Sequence, residues 1–213
     1  MRMLVLAAVP LAALSMAARP EATQTKETAA PRRATMVLQN ARVRAYRTTA
    51  GALAGVAHAP GVVVRLDDES AHKPGSTRWL DDAAAPAPDP GSAAIVIVEP
   101  LPRAAGQAAP PVAGSKPGDA PFTGMSFVPL FENDRVTVLH ARMDVDAREG
   151  FHTHASDTVV VHLSGGEIED TANGKTVVNR WKPGDVEFES RGSSHSARNV
   201  SHPVDVVLVA LKP

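Results

Sequence analysis

Gly150-Phe151-His152-Thr153-His154, answered about forty residues later by Gly192-Ser193-Ser194-His195, is the stretch that decides the fold. Histidines at i and i+2 project from the same face of a β-strand. Two imidazoles on one face can converge on a single ion if that face lines a concave interior. Gly192 to His195 reads as a turn into a strand and supplies a third imidazole from across the sheet. A site closed by two separate strands implies a small β-barrel or a closed sandwich.

The surrounding chain supports that reading. Val136 to Met143, Phe151 to His154 and Thr158 to Leu163 read as strands, the last ended by Ser164-Gly165-Gly166. Glu167 to Asp170 and Lys175 to Asn179 flank Ala172-Asn173-Gly174, a strong hairpin turn. Lys182-Pro183-Gly184-Asp185 is a second turn. Val186 to Glu189 alternates, with Val186 and Phe188 on one face and Glu187 and Glu189 on the other, either solvated or lumenal. His195 to Asn199 and Val204 to Leu211 complete about eight short strands with no helix among them. Closure into an antiparallel barrel or jelly roll removes their exposed edges.

The N-terminal half repeats the pattern. Asn40-Ala41-Arg42-Val43 parallels Asn133-Asp134-Arg135-Val136, and Gly61 to Leu66 parallels Thr158 to Leu163. Gly75 to Trp79 is aligned with Gly174 to Val178, with Trp181 a little later. Each copy ends on a valine-rich strand, Ala94 to Val98 and Val204 to Ala210. Between them, residues 100–121 hold six prolines and three glycines, a linker composition. Residues 35–99 and 122–213 are therefore read as two related domains. Copy one has Gly55 and Ala57 where copy two has His152 and His154, and an Ala/Pro-rich stretch, Asp81 to Gly91, in place of the second histidine segment.

Taken together, the motifs of residues 122–213 resemble the cupin family. Gly150, His152, His154, Thr158 and Gly165 follow the first cupin motif, and Gly184, Gly192, His195 and Asn199 follow the second; Ser190 stands where the second usually has proline. The resemblance extends more weakly to residues 35–99. It implies an all-β tandem cupin of jelly-roll barrels, with the N-terminal copy shortened and metal-free, serving as a packing partner. It also implies one divalent metal (Fe, Ni, Zn, Cu or Mn) held by His152, His154 and His195. Thr158 occupies the family's glutamate position and is a poor ligand. Asp157 is adjacent but faces the other way on a regular strand, so only a local bulge would turn it inward. Parity puts His162 on the Thr158 face, pointing into the barrel below the metal position. A site without a fixed carboxylate would favour a small anionic or bidentate ligand at the open positions.

Composition bounds the function classes. Met1-Arg2-Met3 followed by the apolar Leu4 to Ala17 reads as a secretory signal peptide over residues 1–17, with a polar segment over 18–34. The expected location is periplasmic or secreted, with no integral membrane span. The chain has no cysteine, so neither a disulfide framework nor a thiolate site is available. A formal charge of −1 without a basic block argues against nucleic acid as a partner. His58, His72, His140 and His202 are isolated and carry no expected role. Three readings of function follow: a metal site binding a small ligand without turnover, a three-histidine non-haem iron dioxygenase, or a structural protein with a degenerate site. Assembly as a monomer of two packed halves competes with a homodimer.

Overall fold

The computed structural model describes residues 34–55, 59–67, 73–81, 93–103 and 122–213. The leader, most of the polar segment, most of the linker, Ala57, His58 and His72 lie outside them. The described N-terminal strands are β1 (Thr35–Gln39), β2 (Val43–Thr49), β3 (Gly61–Arg65), β4 (Thr77–Leu80) and β5 (Ala94–Pro100), with a 3-10 turn over Ala50–Gly55. They form one antiparallel sheet in the order β1-β2-β5-β3-β4.

The C-terminal strands are β6 (Thr123–Glu132), β7 (Val136–Thr153), β8 (Asp157–His162), β9 (Gly166–Ala172), β10 (Lys175–Trp181), β11 (Val186–Glu189), β12 (Ser194–Asn199) and β13 (Val204–Leu211). They make an eight-stranded curled sheet, β10-β9-β12-β7-β13-β8-β11, with β6 added beside β7. The fold is all-β, as the jelly-roll reading expects. The two strands expected over 136–143 and 151–154 are one strand, β7. Its first part pairs with β13 and its last part with β12, so one strand serves both walls of the half-barrel.

The two halves match down to single hydrogen bonds. Asn40 Oδ1 accepts from the amides of Arg42 and Val43 at 2.7 and 3.0 Å, and Asn133 Oδ1 accepts from those of Arg135 and Val136 at 2.9 and 3.0 Å. Strand order β1-β2-β5-β3-β4 matches β6-β7-β13-β8-β11. One register differs from the sequence alignment. Gly75 donates to Arg65 O as Gly184 donates to His162 O, and the Ser76 and Asp185 amides turn back to Lys73 O and Lys182 O. Gly75 therefore corresponds to Gly184, not Gly174. The shared Lys-Pro-Gly (residues 73–75 and 182–184) carries that signal. Both glycines have φ above +80°, and a Cβ on either would stand 2.8 Å from a leucine methyl of the other half, Leu163 or Leu66. Glycine is needed there for backbone conformation and for close approach alike.

That approach reflects a shared core. Val43, Ala45, Val62, Val64, Val96 and Val98 of the first sheet pack with Val136, Val138, Val159, Val161, Val207 and Val209 on the outer face of the second. All twelve are 0% exposed, which at about 1.5–3 kcal/mol for each fully buried valine-sized side chain makes this contact a principal source of stability. The inner face of the second sheet carries Ala141, Met143, Val160, Val204 and Val206 and curls around an interior cavity of about 230 Å³. β8 is buried at every position, one face in each core.

Candidate metal centre

His152 and His154 project from the end of β7, and His195 from the start of β12, where His195 is the direct partner of His152. One ligand atom from each lies within 4.8 Å of the other two. His154 Nε2 and His195 Nε2 are 3.0 Å apart. Bonds of about 2.0–2.1 Å from a first-row ion to imidazole nitrogen allow donors up to about 4.2 Å apart, so the widest pair has about half an ångström to close. His152 Nδ1 lies 2.9 Å from Gly150 O, and His195 Nδ1 lies 2.8 Å from Asp170 Oδ1. Such contacts fix the ring and its tautomer, leaving Nε2 to face the cavity.

Carboxylates surround the imidazoles, contrary to the expectation of a carboxylate-free site. Glu149 Oε atoms are 3.8 Å from both His152 Nε2 and His195 Nε2. Glu189 reaches His154 Nδ1 at 3.5 Å and His195 Nε2 at 3.9 Å. Strict alternation along β7 puts Glu149 on the face opposite His152. Between the β12 partners His195 and Ala197, however, β7 advances from His152 to Glu149. This bulge at Gly150-Phe151 reverses the parity and turns both side chains inward. The signal in the sequence is Gly150, two residues before the H-x-H pair. Glu189 was legible as one of two alternatives, and the lumenal one holds. It pairs with Thr158 across the ladder, so a carboxylate from the neighbouring strand stands beside the position where the cupin resemblance leaves a threonine.

Burial sets the protonation of these groups. The His154 imidazole is pushed down to about 4, mainly by burial and then by its two histidine neighbours. It is neutral at neutral pH and able to act as a ligand. Burial pushes the Glu189 carboxyl up to about 9, with Glu187, Glu149 and Asp170 adding to the shift. Glu149 is raised by burial, against the pull of His152 and His195. Three imidazoles, the His154 ring neutral at neutral pH, beside a Glu189 carboxyl that holds its proton for lack of a counter-charge form a donor set that fits a divalent cation, which would displace that proton.

The remaining expected site residues separate. Thr158 lines the cavity. Asp157 keeps regular parity and faces outward, where Oδ2 accepts from Arg42 Nε at 2.9 Å and Arg103 Nη2 at 3.3 Å, and Oδ1 from the Arg191 amide at 3.0 Å. It does not join the cluster, because β8 has no bulge to turn it. His162 points into the barrel, 1% exposed, its ring stacked on Trp181 at 4.6 Å. Of the isolated histidines, His140 contacts Asp205 and His202 contacts Pro203 O, both away from the cluster. Asn199 is fully buried and donates to the carbonyls of Met143, Asp144 and His202, tying β12 to β7.

No protein-family model and no curated protein matches the chain. Solved structures similar to it include cupin-domain proteins. A cupin domain from Bordetella pertussis Tohama I is 24% identical, covering 42% of this chain and 95% of that one, with a TM-score of 0.40. A cupin superfamily protein from Desulfitobacterium hafniense DCB-2 is 17% identical over 44% of this chain and 83% of its own, TM-score 0.37. A predicted oxalate decarboxylase from Thermotoga maritima is 24% identical over 41% and 81%, TM-score 0.35. The chemistry of the site rests on its own geometry.

Proposed function

We propose that residues 122–213 form a cupin barrel that binds one divalent metal through His152, His154 and His195, with Glu189 or Glu149 as a fourth donor. The metal leaves positions open for a small ligand. The observation that carries this reading is the convergence of three imidazoles, their ligand atoms within 4.8 Å of one another, on the wall of one interior cavity. The cavity's carboxylates shift the expected ligand from an anion to an uncharged bidentate oxygen compound. The tandem origin of the two halves, with the first copy emptied, and export to the periplasm or beyond belong to the same proposal; among the described residues no helix is long and apolar enough to cross a membrane.

A second reading, turnover, is favoured by one observation. Two carboxyls with raised proton affinity stand within 4 Å of the imidazoles, which is where a general acid or base would be needed. It takes the form of a non-haem oxygenase if the metal is iron. Metal analysis of the full chain purified without added metal tests both. About one equivalent of bound metal, lost from His195→Ala, is expected; protein that neither retains nor takes up metal refutes both readings. Iron as the retained metal selects oxygen uptake as the next assay.

A further inference from the structure

The floor of the barrel holds a polar group that the metal centre does not use. His162 is 1% exposed, and neither of its ring nitrogens has a hydrogen-bond partner. Its nearest charged neighbour is Glu187 Oε2, 3.9 Å from Nε2, beyond hydrogen-bonding distance. The ring lies 15° from the plane of Trp181, so stacking fixes its orientation. A buried imidazole left without partners bears its whole desolvation penalty.

The same wall connects this floor to the metal centre. Glu187 and Glu189 share one face of β11, two residues apart, and pair across the ladder with Val160 and Thr158. His162 stands four residues from Thr158 on β8, about 13 Å at the rise of an extended strand. Glu189 therefore serves the imidazole cluster, while Glu187 serves His162. The rest of the lining is largely apolar: Val206 and Leu208 of β13 pair directly with His162 and Val160, and Met143 and Ile168 also face the cavity. Its roughly 230 Å³ equals about eight waters' worth of space, enough for one compact ring.

We propose that His162, Glu187 and Trp181 form a second recognition subsite, which takes an uncharged hydroxyl group at the far end of a small, flat ligand whose near end chelates at the imidazole cluster. A neutral imidazole offers one donor and one acceptor, and a hydroxyl between it and Glu187 can answer both residues. An anionic group at the floor would be repelled by Glu187, which lies 3.9 Å from His162 and faces the same cavity. An ammonium would satisfy Glu187 but has no acceptor for the imidazole N–H. The proposal rests on the metal-site reading for the ligand's near end and on the floor residues alone for its far end.

Two hydroxypyranones separate these parts. Kojic acid and allomaltol share the chelating hydroxy-ketone, and differ only in a hydroxymethyl or methyl group at the opposite end of the ring. Calorimetric titration of the full chain, with and without one equivalent of zinc, should show kojic acid bound about tenfold more tightly than allomaltol, the worth of one hydrogen bond. His162→Phe keeps the stack on Trp181 and should bring that ratio to about one; the isosteric Glu187→Gln should reduce it. Equal affinities in the wild type, a ratio preserved in His162→Phe, or no binding of either compound overturns the proposal. The metal reading fails separately: omission of zinc would then leave both affinities unchanged, while their ratio still reports on the floor.

Discussion

Replacing Asp157 by alanine should destabilise the protein without weakening its metal site. The carboxylate is 7% exposed and accepts from Arg42, Arg103 and the Arg191 amide. Removing one partner of a buried ion pair costs about 3–5 kcal/mol, because the other charge stays buried. Arg42 retains bonds to the carbonyls of Leu101 and Lys212, which places the loss near the lower end, about 3 kcal/mol. At about 2–4 °C per kcal/mol for a chain of this size, the midpoint should fall by about 6–12 °C. Differential scanning calorimetry measures this on the full chain, and zinc titration of the same variant should give wild-type affinity. A midpoint within 2 °C of wild type, on the scale of about 2–4 °C per kcal/mol, would refute the account of Asp157 as a tie between the halves. A tenfold or greater loss of zinc affinity, about 1.4 kcal/mol, would make Asp157 a ligand and show that β8 departs from regular parity.

Expressed alone, residues 122–213 should aggregate or dimerise, since the outer valines of β7, β8 and β13 lose the sheet that covers them; a monomer by light scattering, as heat-stable as the full chain, would contradict this. Asp170→Ala should lower zinc affinity about 10–100-fold by releasing His195 from its orienting partner, and unchanged affinity would remove Asp170 from the site. In metal-free protein, Glu189 binds its proton more tightly folded than unfolded, so its contribution to stability is present below the ordinary carboxylate range and is lost as pH rises toward about 9. Glu189→Gln should flatten that decline in melts between pH 6 and pH 9, endpoints chosen roughly to span this loss; an identical slope would show that Glu189 is not protonated there. His154 acts in the opposite sense: with its folded value near 4, its contribution is present above the ordinary histidine range and is lost on acidification.

Side-chain parity carried most of what was legible in the sequence. Alternation along Thr158 to Leu163 placed Val160 and His162 inward and Asp157 outward, because β8 is a regular strand between two cores. The i, i+2 spacing joined His152 to His154, and the glycine-framed second motif brought His195 to them. Glu149 was hidden because a bulge adds one residue between it and His152, and alternation does not reveal where it breaks. The Gly75 register was missed because a Gly-x-Thr match, Gly75 with Gly174, competed with the Lys-Pro-Gly turn, and the turn is fixed by a backbone geometry that a residue match does not encode. The first half was expected to be shortened, and among the described residues it is a single five-stranded sheet with nothing corresponding to β9, β10 and β12.

X-ray absorption fine structure of the full chain loaded with one equivalent of zinc counts the imidazoles on the ion. Three imidazole scatterers with zinc–nitrogen distances of about 2.0–2.1 Å and an additional oxygen shell are expected, falling to two imidazoles in His195→Ala. An oxygen-only shell, or an imidazole count unchanged by that substitution, would contradict it.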